Sequence, residues 1–176
     1  NGSYSFDPGH TDYQSISEGA ARVVTANWTV TDDKGSASTR TLAITVTGSN
    51  DGPVAESSTE VATEDGSVIT GQLTATDVDE NSTASFSLDA PVVGLAVDSG
   101  GSYNFNPGHS DYQSISGGAT RVVTANWRVT DDMGAIATGI FKITVTGTND
   151  TFSDISLSSS SILEKISIGN TVGVFS

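Results

Sequence analysis

The chain has 176 residues, 35% of them hydrophobic, no cysteine, and a formal charge of −14 from 21 acidic and 7 basic side chains. That length allows one or two domains. The charge sets the chain against nucleic acid and anionic membranes, and no run of 18 apolar residues offers a membrane-inserting span. Ser, Thr, Gly, Val and Ala dominate, a mix that suits half-buried strands and tight turns better than helices. Without disulfides a secreted domain needs another rigidifier, and a metal ion is the obvious one. No signal peptide opens the chain, which starts at Asn1 in mid-pattern and so leaves secretion undecided.

The main feature is an internal repeat. Residues 2–51 recur without a gap at 101–150, with roughly 35 of about 50 positions identical. Tyr4-Ser-Phe6 returns as Tyr103-Asn-Phe105, and Asp12-Tyr-Gln-Ser-Ile16 as Asp111-Tyr-Gln-Ser-Ile115. Arg22 to Trp28 matches Arg121 to Trp127 without a change. A unit of about 100 residues is a sandwich-sized domain rather than a solenoid turn. Three unequal parts are expected: the back half of one repeat at 1–51, a complete repeat at 52–150, and the opening strands of a third at 151–176. The whole reads as a window on a longer array.

Within the complete repeat, strands alternate with turns. Val68 to Thr76 predicts one strand, with Ile69, Leu73 and Ala75 on one face. Phe86 and Leu88 alternate with serines. Leu95-Ala-Val97 and Tyr103-Asn-Phe105 predict a hairpin across the four-residue loop Asp98 to Gly101. Arg121 to Thr130 alternates cleanly, Asp131-Asp-Met-Gly134 turns the chain, and Ile140 to Thr146 returns. Seven or so short strands imply an all-β fold, an antiparallel Greek-key sandwich. Trp28 and Trp127, in mid-strand, read as core. His10 and His109, in Pro-Gly-His-x-Asp loops, read as turn formers.

Acidic residues cluster in four places around the junction: Asn50-Asp51, Glu64-Asp65-Gly66, Asp77-Val-Asp79 and Asp131-Asp132. Calcium takes six to eight oxygen ligands, several of them carboxylates. An Asp-x-Asp pair at a strand end aims both carboxylates the same way. The four clusters are expected to meet at one pole of the sandwich and bind Ca2+. Taken singly, each Asp is also an ordinary turn former. Asp77 begins like an EF-hand loop, but Ser82 and Leu88 stand where Gly and Glu belong. No nucleophile elbow, Walker motif or zinc-protease motif occurs. Paired carboxylates could run a glycosidase, but these lie in turns that either recur in the repeat or match its junctions, so no enzyme is expected.

The Val-Thr-Gly-(Ser/Thr)-Asn-Asp endings, the Val-Thr-Asp-Asp-x-Gly hairpins and the Ala-Thr-Asp-x-Asp strand end resemble VCBS repeats. These are cadherin-like bacterial sandwiches of large RTX-type surface adhesins exported by type I secretion. Residues 153–176 resemble the first two strands of a related cadherin-type repeat. The resemblance implies a first calcium junction of Asn50, Asp51, Glu64, Asp77, Asp79 and Asp131 or Asp132. Asp12 matches the cadherin Asp-Arg-Glu element, with Gln14 in place of its Glu. A second junction would use Asp111, Asn149, Asp150 and Glu164, and would be incomplete because its own Asp-x-Asp falls beyond Ser176.

The implied function is an extracellular, cell-surface spacer in adhesion or biofilm, stiffened by calcium, with neighbouring repeats as partners. An alternative is a polysaccharide-binding module, which needs Trp127, Tyr103 or Tyr112 in an exposed aromatic strip. A third reading is homotypic pairing, with 151–176 of the same or another copy completing the half-repeat at 1–51.

Overall fold

A computed structural model describes residues 2–151, and over them the chain is built of β-strands with one 3-10 turn. A loop carrying the turn Thr11–Tyr13 leads into a long antiparallel hairpin, β1 (Ala21–Thr31) and β2 (Ala37–Thr47). The complete repeat follows with β3 (Val54–Ala55), β4 (Ser58–Thr63), β5 (Ile69–Gln72), β6 (Ala75–Thr76) and β7 (Ala84–Leu88). It continues with β8 (Leu95–Val97), β9 (Ser102–Phe105), β10 (Thr120–Asp131) and β11 (Ile136–Thr146).

One sheet has the order β4-β11-β10-β7, a second the order β5-β9-β8, and β3 pairs with β6. All pairings are antiparallel except β4 with β11. Parallel neighbours require a long crossover, and here everything from β5 to β10 supplies it. The first long strand and the last therefore close the sheet side by side. The expected all-β sandwich is what forms.

Alternation explains the core. Ala125, Trp127 and Val129 of β10 and Phe141, Ile143 and Val145 of β11 are buried, while their even-numbered neighbours on β10 face outward. Trp127 stacks on Phe86 at 5.7 Å between ring centroids, and Tyr103 meets Phe141 at 4.6 Å. The expected hairpin of β8 and β9 is present with its four-residue loop, closed by Gly101 at φ 87°. The single strand expected over 68–76 is two. β5 pairs with β9, the chain switches at Leu73, and β6 pairs with β3. Leu73 is buried at the switch, its N–H donating to Gly101 O at 2.9 Å. Both pieces keep the odd residues inward, so a change of sheet leaves no mark on the pattern.

Tyr103, Tyr112 and Trp127 are 5%, 1% and 0% exposed. The aromatic strip that a polysaccharide platform requires is therefore inside the molecule, because all three rings belong to the hydrophobic core. In the hairpin β1–β2, by contrast, no second sheet covers the same heptapeptide among the described residues, and Trp28 is 49% exposed.

Tyr103 also fixes an alkaline limit. Burial first, then its hydrogen bond to Glu60 (3.1 Å, the phenol donating), push its pKa up to about 12. A raised pKa means the neutral phenol is favoured in the folded state. Its stabilisation is complete below the unfolded value of about 10 and is lost as pH rises from there through about 12. Chemical denaturation at pH 9 and pH 11.5 should show this loss in the native protein and a flatter dependence in Tyr103→Phe. Equal slopes would refute it.

Candidate metal centre

The junction between the hairpin β1–β2 and the complete repeat is built from strand ends. β10 ends at Asp131, whose Oδ1 accepts the N–H groups of Met133 and Ala135 at 3.0 and 2.7 Å, closing the turn into β11. Asp32 caps the matching turn in β1–β2 in the same way, through Lys34 and Ser36. Turn chemistry thus accounts for one oxygen of each. The other oxygen of Asp131 serves the junction: Oδ2 accepts the Asn50 amide at 2.9 Å. That amide, foremost, holds the Asp131 carboxyl below its ordinary range. Burial pushes the other way, and backbone N–H groups of Ala135, Met133 and Gly134 add to the lowering.

Asp77 and Asp79 follow β6 directly. Asp77 accepts the Asp79 N–H at 3.0 Å and the Ser82 hydroxyl at 3.0 Å. Asn81, at φ 63°, turns the chain back, a left-handed conformation that Asn tolerates better than most side chains. Ser82 Oγ and the Thr83 N–H lie 3.3 and 3.2 Å from Asp132 Oδ1. Asp79 is 8% exposed; its Oδ2 accepts the Asp51 N–H at 2.9 Å, and its Oδ1 has no hydrogen-bond partner. A cavity of about 20 Å³ is lined by Asn50, Asp79, Ser82 and Asp132 among others. That is room for one water or one small ion.

The structure places Asn50, Asp51, Asp77, Asp79, Asp131 and Asp132 at one junction of linker and strand ends. Among the described residues no three Asp, Glu or His side chains converge closely enough to hold a metal by themselves. The oxygen set must include amide or backbone oxygens, as calcium allows. The donors are all hard oxygens, and Asp79 Oδ1 is a buried carboxylate oxygen without a partner. These residues fit a calcium ion.

Glu64 is not part of this junction. β4 runs parallel to β11, so its end lies at the far pole. There the Glu64 N–H donates to Thr146 O at 2.8 Å, and Glu64 Oε2 accepts the Thr148 N–H at 2.9 Å. Glu64 is 1% exposed and its Oε1 has no partner. It belongs with Asn149 and Asp150, both exposed at the second junction. Asn149 lies against the loop at Gly117, in the same segment that carries Asp111. Glu164 is outside the described residues.

Asp12 and Asp111 are exposed and are held locally. His10 and His109 accept their backbone N–H groups through Nδ1 at 3.3 and 3.2 Å, which is the turn role expected for those histidines. No hydrogen bond joins either carboxylate to Asp77, Asp79 or Glu64. One junction residue went unnoticed in the sequence. Glu80 receives the Arg22 guanidinium at 3.3 Å, its carbonyl accepts the Ser17 hydroxyl at 2.6 Å, and its N–H donates to Ser15 O at 3.1 Å. Its place directly after Asp77-Val-Asp79, opposite an arginine preserved in both copies of the repeat, was the available signal.

Among solved structures, the protocadherin PcdhgB3 EC1-4 resembles this chain with a TM-score of 0.56 and 18% identity, over 98% of this chain and 41% of that one. Mouse cadherin-23 EC22-24 matches with a TM-score of 0.46 and 17% identity, over 84% of this chain and 45% of that one. The chain thus spans less than half of either, and the likeness to the first is one of fold. No curated protein matches the sequence. The profile of the family described as bacterial Ig domain matches residues 50–144, from the linker asparagine through most of β11. Over more than half of its length, which takes in nearly all of the complete repeat's strands, the chain belongs to the bacterial Ig domain family.

Proposed function

We propose that the chain is a calcium-stiffened spacer of an extracellular adhesive array, of the kind its resemblance to VCBS repeats implies. The observation that carries this reading is Asp79: a nine-tenths buried carboxylate with one oxygen unpartnered, at the joint between two repeats. A buried, half-satisfied carboxylate is costly by itself. A divalent ion supplies the positive charge that offsets that cost. Asp79, Asp77, Asp131 and Asp132 would hold it from the complete repeat, and Asn50 and Asp51 from the linker. Its effect would be to tie the linker to the strand ends and to screen a chain of charge −14. Sandwiches with buried aromatic cores and no catalytic motif suit a structural, adhesive role rather than catalysis.

Glu64 supports the same reading at the other pole. It is more deeply buried and likewise half-satisfied, beside the next linker, Asn149-Asp150. One sandwich would thus offer half a site at each end, which is what an array needs. Titration calorimetry of the whole chain with calcium chloride should give a saturable heat, with Kd on the order of 10⁻⁴–10⁻³ M as in other extracellular modules. Small-angle scattering should show a narrower distribution of shapes in calcium than in chelator. Absence of heat together with unchanged scattering would rule the proposal out.

A further inference from the structure

The two hairpins, β1–β2 and β10–β11, are near copies in the same register, yet they differ at a place where the sandwich admits no side chain. Trp127 is paired across the strands with Gly139, and Trp28 with Arg40. A Cβ at Gly139 would lie 2.4 Å from Trp127 Cζ2 and 2.5 Å from Cε2. The indole cannot easily give way: it is fully buried and stacked on Phe86. One step further along the same inward face, Leu42 stands where Phe141 meets the Tyr103 ring. Ile44 and Val46 repeat Ile143 and Val145. Apart from Leu42 for Phe141 and Ser38 for Ala137 the face repeats, and Arg40 is the one substitution on it that adds a charge.

We infer that Gly139 against Arg40 decides which hairpin the layer β5-β9-β8 accepts. Near-identical neighbouring repeats invite exchange of equivalent elements, a characteristic failure of repeat proteins. Here Arg22 to Trp28 and Arg121 to Trp127 are the same seven residues, so these strands cannot tell the layers apart. Discrimination has to come from the paired strand. An arginine opposite the tryptophan displaces the ring and brings a charge into an apolar layer. Specificity arises from what the wrong hairpin cannot do. The layer that fits β1–β2 must instead leave room for Arg40 and supply its guanidinium with an acceptor or with water.

The test uses the full chain, with Trp28 as the sole tryptophan. In G139R/W127F, the chain's own second hairpin is barred by the arginine charge that it would carry into the apolar layer, the clash with the indole being absent in this variant. Trp28 should then keep the emission of a solvent-exposed indole, and the cooperative thermal transition should be lost. Adding R40G and L42F should restore the transition and shift Trp28 emission to that of a buried ring, as β1–β2 of the same or a second copy takes the empty place. Three results would overturn the inference: Trp28 buried before Arg40 is changed, no recovery after it is changed, or G139R alone unfolding at the native midpoint with Trp127 still buried.

Discussion

Replacing Trp127 by alanine should lower the unfolding free energy by about 3–5 kcal/mol, while Trp28→Ala should change it by no more than about 0.5 kcal/mol. The two residues close identical heptapeptides, so local propensity and unfolded-chain effects nearly cancel between them. What differs is the surroundings. Trp127 has 0% exposure, a stacked Phe86 and a glycine across the strands; Trp28 has 49% exposure and an arginine. Removing the first leaves a cavity among rigid rings, and removing the second uncovers a hairpin face already in water. Urea denaturation followed by circular dichroism measures both. Equal losses would mean that β1–β2 is packed as tightly as its copy.

Asp79→Asn should separate stability from calcium. In chelator the substitution removes a buried charge and keeps an oxygen that can accept the Asp51 N–H, so stability should hold or rise slightly. In 10 mM calcium the native chain should gain about 1.4–2.7 kcal/mol, for Kd on the order of 10⁻³–10⁻⁴ M. The variant, with affinity weakened at least tenfold, should gain at most about 0.4–1.4 kcal/mol over the same range, at least about 1 kcal/mol less than the native chain. Thermal unfolding of both proteins in calcium and in chelator gives the comparison. A calcium shift of the same size in both would place the ion elsewhere.

Much of this fold was legible from alternation alone. β10, β11 and the β8–β9 hairpin follow from side chains that point alternately in and out, and from turns that need glycine. The break between β5 and β6 was hidden because both pieces keep the same inward phase. The site was legible in composition and not in place. Asp77, Asp79 and Asp131 end strands whose ends could be read off the sequence, and they meet there. Glu64 was assigned to the wrong pole because its position depends on the direction of β4. That direction is parallel to a partner about eighty residues away, a fact of topology that no local pattern carries. Glu80 was overlooked because a single glutamate after two aspartates looks like more of the same charge.

The parallel pairing of β4 with β11 has a mechanical consequence. Six residue pairs, from Ser58 with Phe141 to Thr63 with Thr146, join the first long strand of the complete repeat to its last. Tension applied to the chain enters by the linker before β4 and leaves by the linker after β11, at opposite poles. It therefore pulls these two strands past each other along their length. Their hydrogen bonds are loaded together in shear rather than opened one after another. A repeat threaded this way resists extension at the seam where its two ends meet, whatever stiffens the joints between repeats.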